Sequence, residues 1–183
     1  MGGDSFCGDE EVLNLCKADK VYKVGPVGVG ICGWVRSEQI FERTLREQIP
    51  DKKQITAEWL RNDLTDLIHD AMKEHGIMND KDGVHEMKES EYLLAFDGTI
   101  YHFDEDFSLW DSRRRVSAIG SGRKFAYGAV AALLKDVEGK PTTHDAIRIV
   151  SVALEVCADW SPWVSPPFKV IEIAPDTTQP NYE

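Results

Sequence analysis

The stretch Ala118-Ile119-Gly120-Ser121-Gly122-Arg123-Lys124-Phe125-Ala126-Tyr127-Gly128 is the part of this chain best arranged for chemistry. Gly120 and Gly122 allow close backbone approach and dihedrals that a side chain forbids. Ser121 stands between them at the opening of a small-residue helix, where N–H groups are left free. A chain running into such a turn aims a hydroxyl and backbone donors at one point. By itself Gly-Ser-Gly is also the pattern of a plain turn with a helix cap. It acquires a chemical role only if other parts of the chain converge on it.

The remaining reactive residues are dispersed. The four cysteines, Cys7, Cys16, Cys32 and Cys157, form no CxxC and read as reduced thiols of a cytoplasmic protein without a zinc framework. His69 and His75 share one expected helix but lack metal-ligand spacing. No residue pattern asks for an organic cofactor. The net charge of −11 and the pI of about 4.9 argue against nucleic acid and anionic membranes as partners. No apolar run reaches the ~20 residues that span a bilayer. Met1-Gly2-Gly3-Asp4 has neither the basic nor the apolar region of a signal peptide, and Phe6 breaks the myristoylation pattern. At 183 residues, 42% of them hydrophobic, the chain fits one domain, expected over residues 1–173. A flexible tail is expected over 174–183.

The elements that must position Ser121 follow from pattern. Residues 1–20 are polar, with Cys7 and Leu13 as inward anchors. Val21–Gly25 reads as a short strand, Gly25-Pro26 as a turn and the glycine-interleaved run Val27–Cys32 as a buried strand, together a hairpin. Ser37 caps a helix to Gln48 bearing Phe41 and Leu45. Thr56 caps another, with Leu60, Leu64, Leu67, Ile68, Ala71 and Met72 on one face and Gly76 as its stop. Met78–Glu89 reads as a polar surface loop. Tyr92–Phe96 and Thr99–Phe103 flank Asp97-Gly98, a strong hairpin signal. Asp104–Arg115 is a turn-rich spacer ending in the basic run Arg113-Arg114-Arg115, read as a solvated loop. Helices follow over Arg123–Leu134 and Thr143–Ala158, the second apolar enough to be covered on two sides. Val170–Ile173 is the last strand. Trp160 and Trp163, among Pro162, Pro166 and Pro167, serve either a protein contact or packing over a helix end. Strand runs separated by helix pairs give an α+β protein with antiparallel sheets under helical layers.

In this order the chain resembles the N-terminal-nucleophile hydrolases, specifically the proteasome β-subunit and HslV peptidase. The residues that carry the likeness are Gly3-Asp4-Ser5, Asp19-Lys20-Val21-Tyr22-Lys23-Val24 and the run Gly28–Gly33. They are followed by the hairpin Tyr92–Phe103, Ala118-Ile119-Gly120-Ser121-Gly122, and Asp145–Cys157 with Ala158-Asp159. The resemblance implies a four-layer αββα sandwich and a homo-oligomeric ring that hydrolyses peptide or unfolded protein substrates, with a possible ATPase partner. It also implies the site. Asp4 and Lys20 match the family's buried acid and lysine, a pair that eases ionisation of a nucleophilic hydroxyl. Gly33 matches the oxyanion glycine, although Cys32 and Trp34 depart from the small residues usual there. Ser121 matches the serine beside the active centre, and Asp159 the acid after the second helix. Asp159-Trp160-Ser161-Pro162 departs from the serine expected shortly beyond that acid.

One departure is larger. The family nucleophile is the first residue of the mature chain, usually threonine, on a strand leading to the aspartate matched by Asp4. Met1, Gly2 and Gly3 supply no hydroxyl or thiol there. The expectation is therefore a threonine-type peptidase subunit whose nucleophile strand is missing from these residues. The alternative is a catalytically inactive structural or regulatory subunit of the same fold. An amidase acting on a small molecule is a third reading, since fold does not dictate substrate.

Overall fold

The computed structural model describes residues 1–7, 19–81, 84–112 and 116–174. Leu13, Cys16, the Arg113–Arg115 run and the tail from residue 175 onward lie outside the described residues. The chain divides into two compact units. One comprises Met1–Tyr22 with Val116–Glu172, the other Lys23–Arg115 with Ile173–Glu183.

In the first unit, β1 (Gly2–Gly3) pairs antiparallel with β9 (Lys169–Val170), placing Gly2 opposite Val170. The Met1 amino group extends the pairing by donating to the Ile171 carbonyl at 2.7 Å. Glycine is required in β1 because the strand lies directly on a helix: a Cβ at Gly2 would stand 2.4 Å from Val150 Cγ1. That helix is α5 (Thr143–Trp160), opened by a reciprocal capping box between Thr142 and Asp145. It packs against α4 (Arg123–Leu134). Ile149, Ala153 and Cys157, spaced by four, form the buried stripe of α5. Helix α5 is covered, as expected, by two neighbours, α4 and the β1–β9 pair, while Ile147 remains 42% exposed. The two strands resting on α5 are each two residues long, too short to cover its whole flank.

The second unit is built on a five-stranded antiparallel sheet in the order β2 (Val21–Val24), β3 (Val27–Cys32), β6 (Glu91–Phe96), β7 (Thr99–Phe103), β8 (Leu109–Asp111). The boundary between the units falls inside β2. Asp97 and Gly98 both adopt positive φ, 47° and 75°, as a two-residue hairpin turn matching the strand twist demands. Strand β8 lies in the expected spacer. Its pairing depends on a contact that local pattern does not report: Trp110, opposite His102, stacks on that ring at 4.0 Å and donates its indole N–H to Asp104. Met78–Glu89 is likewise not a loop. It holds a hairpin of β4 (Met78–Lys81) and β5 (Val84–Met87), with Met78 opposite a fully buried Met87.

Helix α1 (Val35–Gln48) starts ahead of Ser37, which is buried in its first turn and is not the cap. Trp34 holds the cap position, its N–H donated to Ser90 Oγ at 3.2 Å. Thr56 does cap α2 (Ala57–Trp59), accepting from the Trp59 N–H at 3.0 Å. The helix then widens into a π segment, Leu60–Leu64, before α3 (Thr65–Glu74). Thr65 Oγ1 bonds back to the Arg61 and Asn62 carbonyls at 2.7 and 2.8 Å, supporting that widened turn. The core of the unit forms where α1 meets the sheet. Phe41 stacks on Tyr92 at 4.2 Å, and Phe103 sets its edge against both rings.

Candidate active site

The first charged residue after β1 is Asp4, and the residues around it are laced to a distant segment. The Ser5 N–H donates to the Ser165 carbonyl at 3.0 Å, and the Ser5 hydroxyl to the Pro167 carbonyl at 2.5 Å. This holds the Asp4 side chain inward. Its Oδ2 accepts the N–H groups of Phe6 at 2.9 Å and Ser165 at 3.4 Å. Its Oδ1 lies 2.9 Å from the ammonium of Lys20, which stands immediately before β2. Only 13% of the Asp4 side chain and 24% of the Lys20 side chain remain exposed. An ion pair this sheltered, with its carboxylate also bound by two amides, is a fixed element of the fold.

Ser121 occupies the expected turn. Gly120 has φ +80°, and Gly122 is the N-cap residue of α4. The Ser121 side chain itself is exposed. Gly122 is buried, and a Cβ there would approach Val164 Cγ2 at 3.1 Å and the Cβ and Sγ of Cys157 at 3.2 Å. The Cys157 thiol donates to the Gly122 carbonyl at 3.3 Å. Burial pushes that thiol up from its ordinary pKa, against the opposing Ala126 backbone amide and with a smaller contribution from the charge of Asp4. Asp4, Cys157 and the Gly120–Gly122 turn therefore belong to one neighbourhood, with the Asp4–Lys20 pair at its charged end. Asp159 is exposed on the last turn of α5.

Gly33 belongs to the second unit, just past β3. Its φ of +117° admits little but glycine, and a Cβ there would fall 2.1 Å from the Glu89 carbonyl oxygen. Its neighbour Cys32 lines a cavity of about 520 Å³ whose other lining residues are all Asp or Glu, from Glu86 to Asp106. Such a wall repels anionic ligands. Among the described residues no group of three His, Cys, Asp or Glu could hold a metal ion. Also among the described residues, no helix is long and apolar enough to cross a membrane.

Sequence reasoning missed Cys157 and Ser165. The apolar stripe of α5 could have singled out Cys157 as buried, but its bond to Gly122 joins positions 35 apart. Ser165 contributes a backbone N–H, for which no residue type is diagnostic.

No protein-family profile and no curated protein matches the sequence. Solved structures do match. The chain has the α+β fold of the proteasome β-subunit and HslV-like N-terminal-nucleophile hydrolases. BPH from Thiobacillus denitrificans is 17% identical over 96% of this chain and 92% of its own, with a TM-score of 0.73. The same protein in complex with epoxomicin gives 0.71 at 16% identity, covering 95% and 92%. A eukaryotic HslV from Trypanosoma brucei gives 0.63 at 20% identity, covering 92% and 88%. Anbu, an ancestral β-subunit from Yersinia bercovieri, gives 0.65 at 12% identity, covering 91% of this chain and 73% of its own. At such identities the likeness establishes the fold.

Proposed function

We propose that this chain is a subunit of a proteasome- or HslV-like threonine-type peptidase acting on peptide or unfolded protein substrates. The sheltered Asp4–Lys20 pair, in a chain of this fold, is the observation that carries the reading. In this reading the Lys20 ammonium lowers the cost of ionising a nucleophilic hydroxyl, and Asp4 keeps the ammonium in place. The Gly33 amide donates to the oxyanion, and Ser121 supports the terminal amine. The nucleophile is an N-terminal Thr, Ser or Cys of a segment upstream of Asp4 in the natural protein. The subunits assemble into a homo-oligomeric ring in the cytoplasm, which an ATPase partner serves by unfolding substrates.

A second reading, an inactive structural subunit of the same fold, is favoured by one observation. Asp159, the acid expected to hold the network together, is exposed on the last turn of α5.

Purification from the natural host, followed by intact mass and N-terminal sequencing, decides between them. The peptidase reading expects Thr, Ser or Cys at the mature terminus and cleavage of fluorogenic peptides in preference to small amides. It also expects mass addition on treatment with epoxomicin. Lys20→Ala should lower kcat by at least about a hundredfold. A mature terminus without such a residue, together with no peptide cleavage, establishes the scaffold reading instead.

A further inference from the structure

We infer that Cys157 is a positioning residue that ties the Gly120–Gly122 turn, and with it Ser121, to the Asp4–Lys20 pair. Its bearing on catalysis rests on the peptidase reading above; its bearing on geometry does not.

The Gly122 carbonyl begins α4. It accepts the N–H groups of Phe125 and Ala126, each at 3.0 Å, and the Cys157 thiol reaches the same oxygen at 3.3 Å. That third bond comes from another helix, so it fixes where α4 starts relative to α5. Gly122 is also pinched from two sides, by Cys157 at 3.2 Å and Val164 at 3.1 Å from a built Cβ. Val164 precedes Ser165, whose N–H reaches Asp4. Cys157 and the Val164–Ser165 segment thus form two arms running from the turn to the Asp4 neighbourhood. The thiol is buried, and burial, with a smaller contribution from the charge of Asp4, outweighs the opposing Ala126 amide and favours its protonated, donating form.

The side chain at 157 must meet three demands together. It must be small enough to lie against Gly122, apolar enough for the stripe with Ile149 and Ala153, and able to donate one hydrogen bond. Alanine fails the third, valine the first; serine satisfies the first and third with a shorter reach.

Cys157→Ala and Cys157→Ser are compared with Ile149→Val, a conservative truncation on the same buried stripe away from the turn. Amide hydrogen exchange is read along α4, and kcat and KM are measured on a fluorogenic peptide with the complete natural protein. Cys157→Ala should speed exchange at Phe125 and Ala126 roughly fivefold more than at the far end of α4. Its kcat should fall about tenfold with KM held within about twofold. Cys157→Ser should restore both to within about twofold of the parent. Ile149→Val should speed exchange evenly and leave kcat in place. Even exchange in Cys157→Ala, or failure of serine to restore the local protection, overturns the inference. If the parent protein cleaves no peptide, the peptidase reading falls, while the exchange comparison still decides the role of Cys157.

Discussion

Replacing Gly33 by alanine should be among the most damaging single changes in the chain, and two separate costs can be worked out. The first is backbone conformation. A φ of +117° lies well outside the left-handed basin that non-glycine residues visit, at a cost of about 1–3 kcal/mol. The second is overlap. The new methyl carbon would lie 2.1 Å from the Glu89 carbonyl oxygen and 2.7 Å from Ser90 Cα. Both are backbone atoms, so no rotamer change relieves the clash, and the Glu89–Ser90 segment must move by about an ångström. That segment resists: Ser90 is buried, and its Oγ accepts the Trp34 N–H that begins α1. Overpacking of this kind costs a further ~1–3 kcal/mol. The sum, about 2–6 kcal/mol, is a large fraction of the roughly 5–15 kcal/mol that holds a domain folded. Near its middle it corresponds to a fall in Tm of about 8–16 °C. Gly76 and Gly98 provide the controls. Both have positive φ, 66° and 75°, and neither would bring a Cβ within 4 Å of another group. Gly76→Ala and Gly98→Ala should therefore each cost only about 1–2 kcal/mol. Urea and thermal unfolding of the three variants separate conformation from overlap. If Gly33→Ala loses no more stability than Gly98→Ala, the close approach to Glu89 is not a property of the folded protein in solution.

The Asp4–Lys20 pair should show a coupling of about 1–2 kcal/mol in a double-mutant cycle of Asp4→Asn and Lys20→Met read by urea unfolding, above the surface median because the pair is sheltered; strictly additive variants would contradict the bond. Burial holds His102 below its ordinary pKa of 6.5, against the opposing charges of Asp104 and Glu91. The unfolded chain then takes up that proton first, so this contribution is complete above about pH 6.5 and is lost as the pH falls through and below it. His102→Gln should flatten the acid limb of the stability curve, and an unchanged limb would count against the buried neutral ring. Burial, and then the charge of Glu38, raise the Tyr92 phenol far above the ordinary value of 10.0. Its neutral form contributes fully below pH 10 and stability is lost as the pH rises beyond it, so Tyr92→Phe should make unfolding less steeply dependent on pH above 10. Titration of this tyrosine near pH 10 in the folded protein, followed by phenolate absorbance, would refute the buried assignment.

Much of the architecture was legible because it is local. The Val27–Cys32 strand, the Asp97-Gly98 turn, the Thr56 cap and the Gly76 stop each depend on residues a few positions apart. The failures share a cause. Helix α1 begins before Ser37 because a serine from across the sheet edge, Ser90, takes the Trp34 N–H. The β4–β5 hairpin has polar residues through its middle, and its anchor, Met87, is buried by the fold and not by its neighbours in sequence. Strand β8 is three residues long and depends on the stacking of Trp110 with His102. The apolar breadth of α5 pointed to cover on two sides, and α4 and the β1–β9 pair supply it, but how much of the helix they bury depends on the surface lying opposite, and β1 and β9 offer little.

The site divides the same way. Residue types and order alone determined that Asp4, Lys20, Gly33, Ser121 and Asp159 deserved attention, because each is a charge, a hydroxyl or a glycine standing where a recognisable pattern puts one. They also determined the chain's acidity and hence which partners it repels. Only the tertiary structure decided that Asp4 and Lys20 form a sheltered pair while Asp159 faces solvent. Only it brought Cys157 and Ser165, distant in sequence from both Asp4 and Ser121, into the same neighbourhood. The physical reason is range. Backbone conformation and periodic burial are governed by neighbours along the chain, whereas a side chain's charge state and bonding partner depend on groups that meet only after the chain has closed on itself.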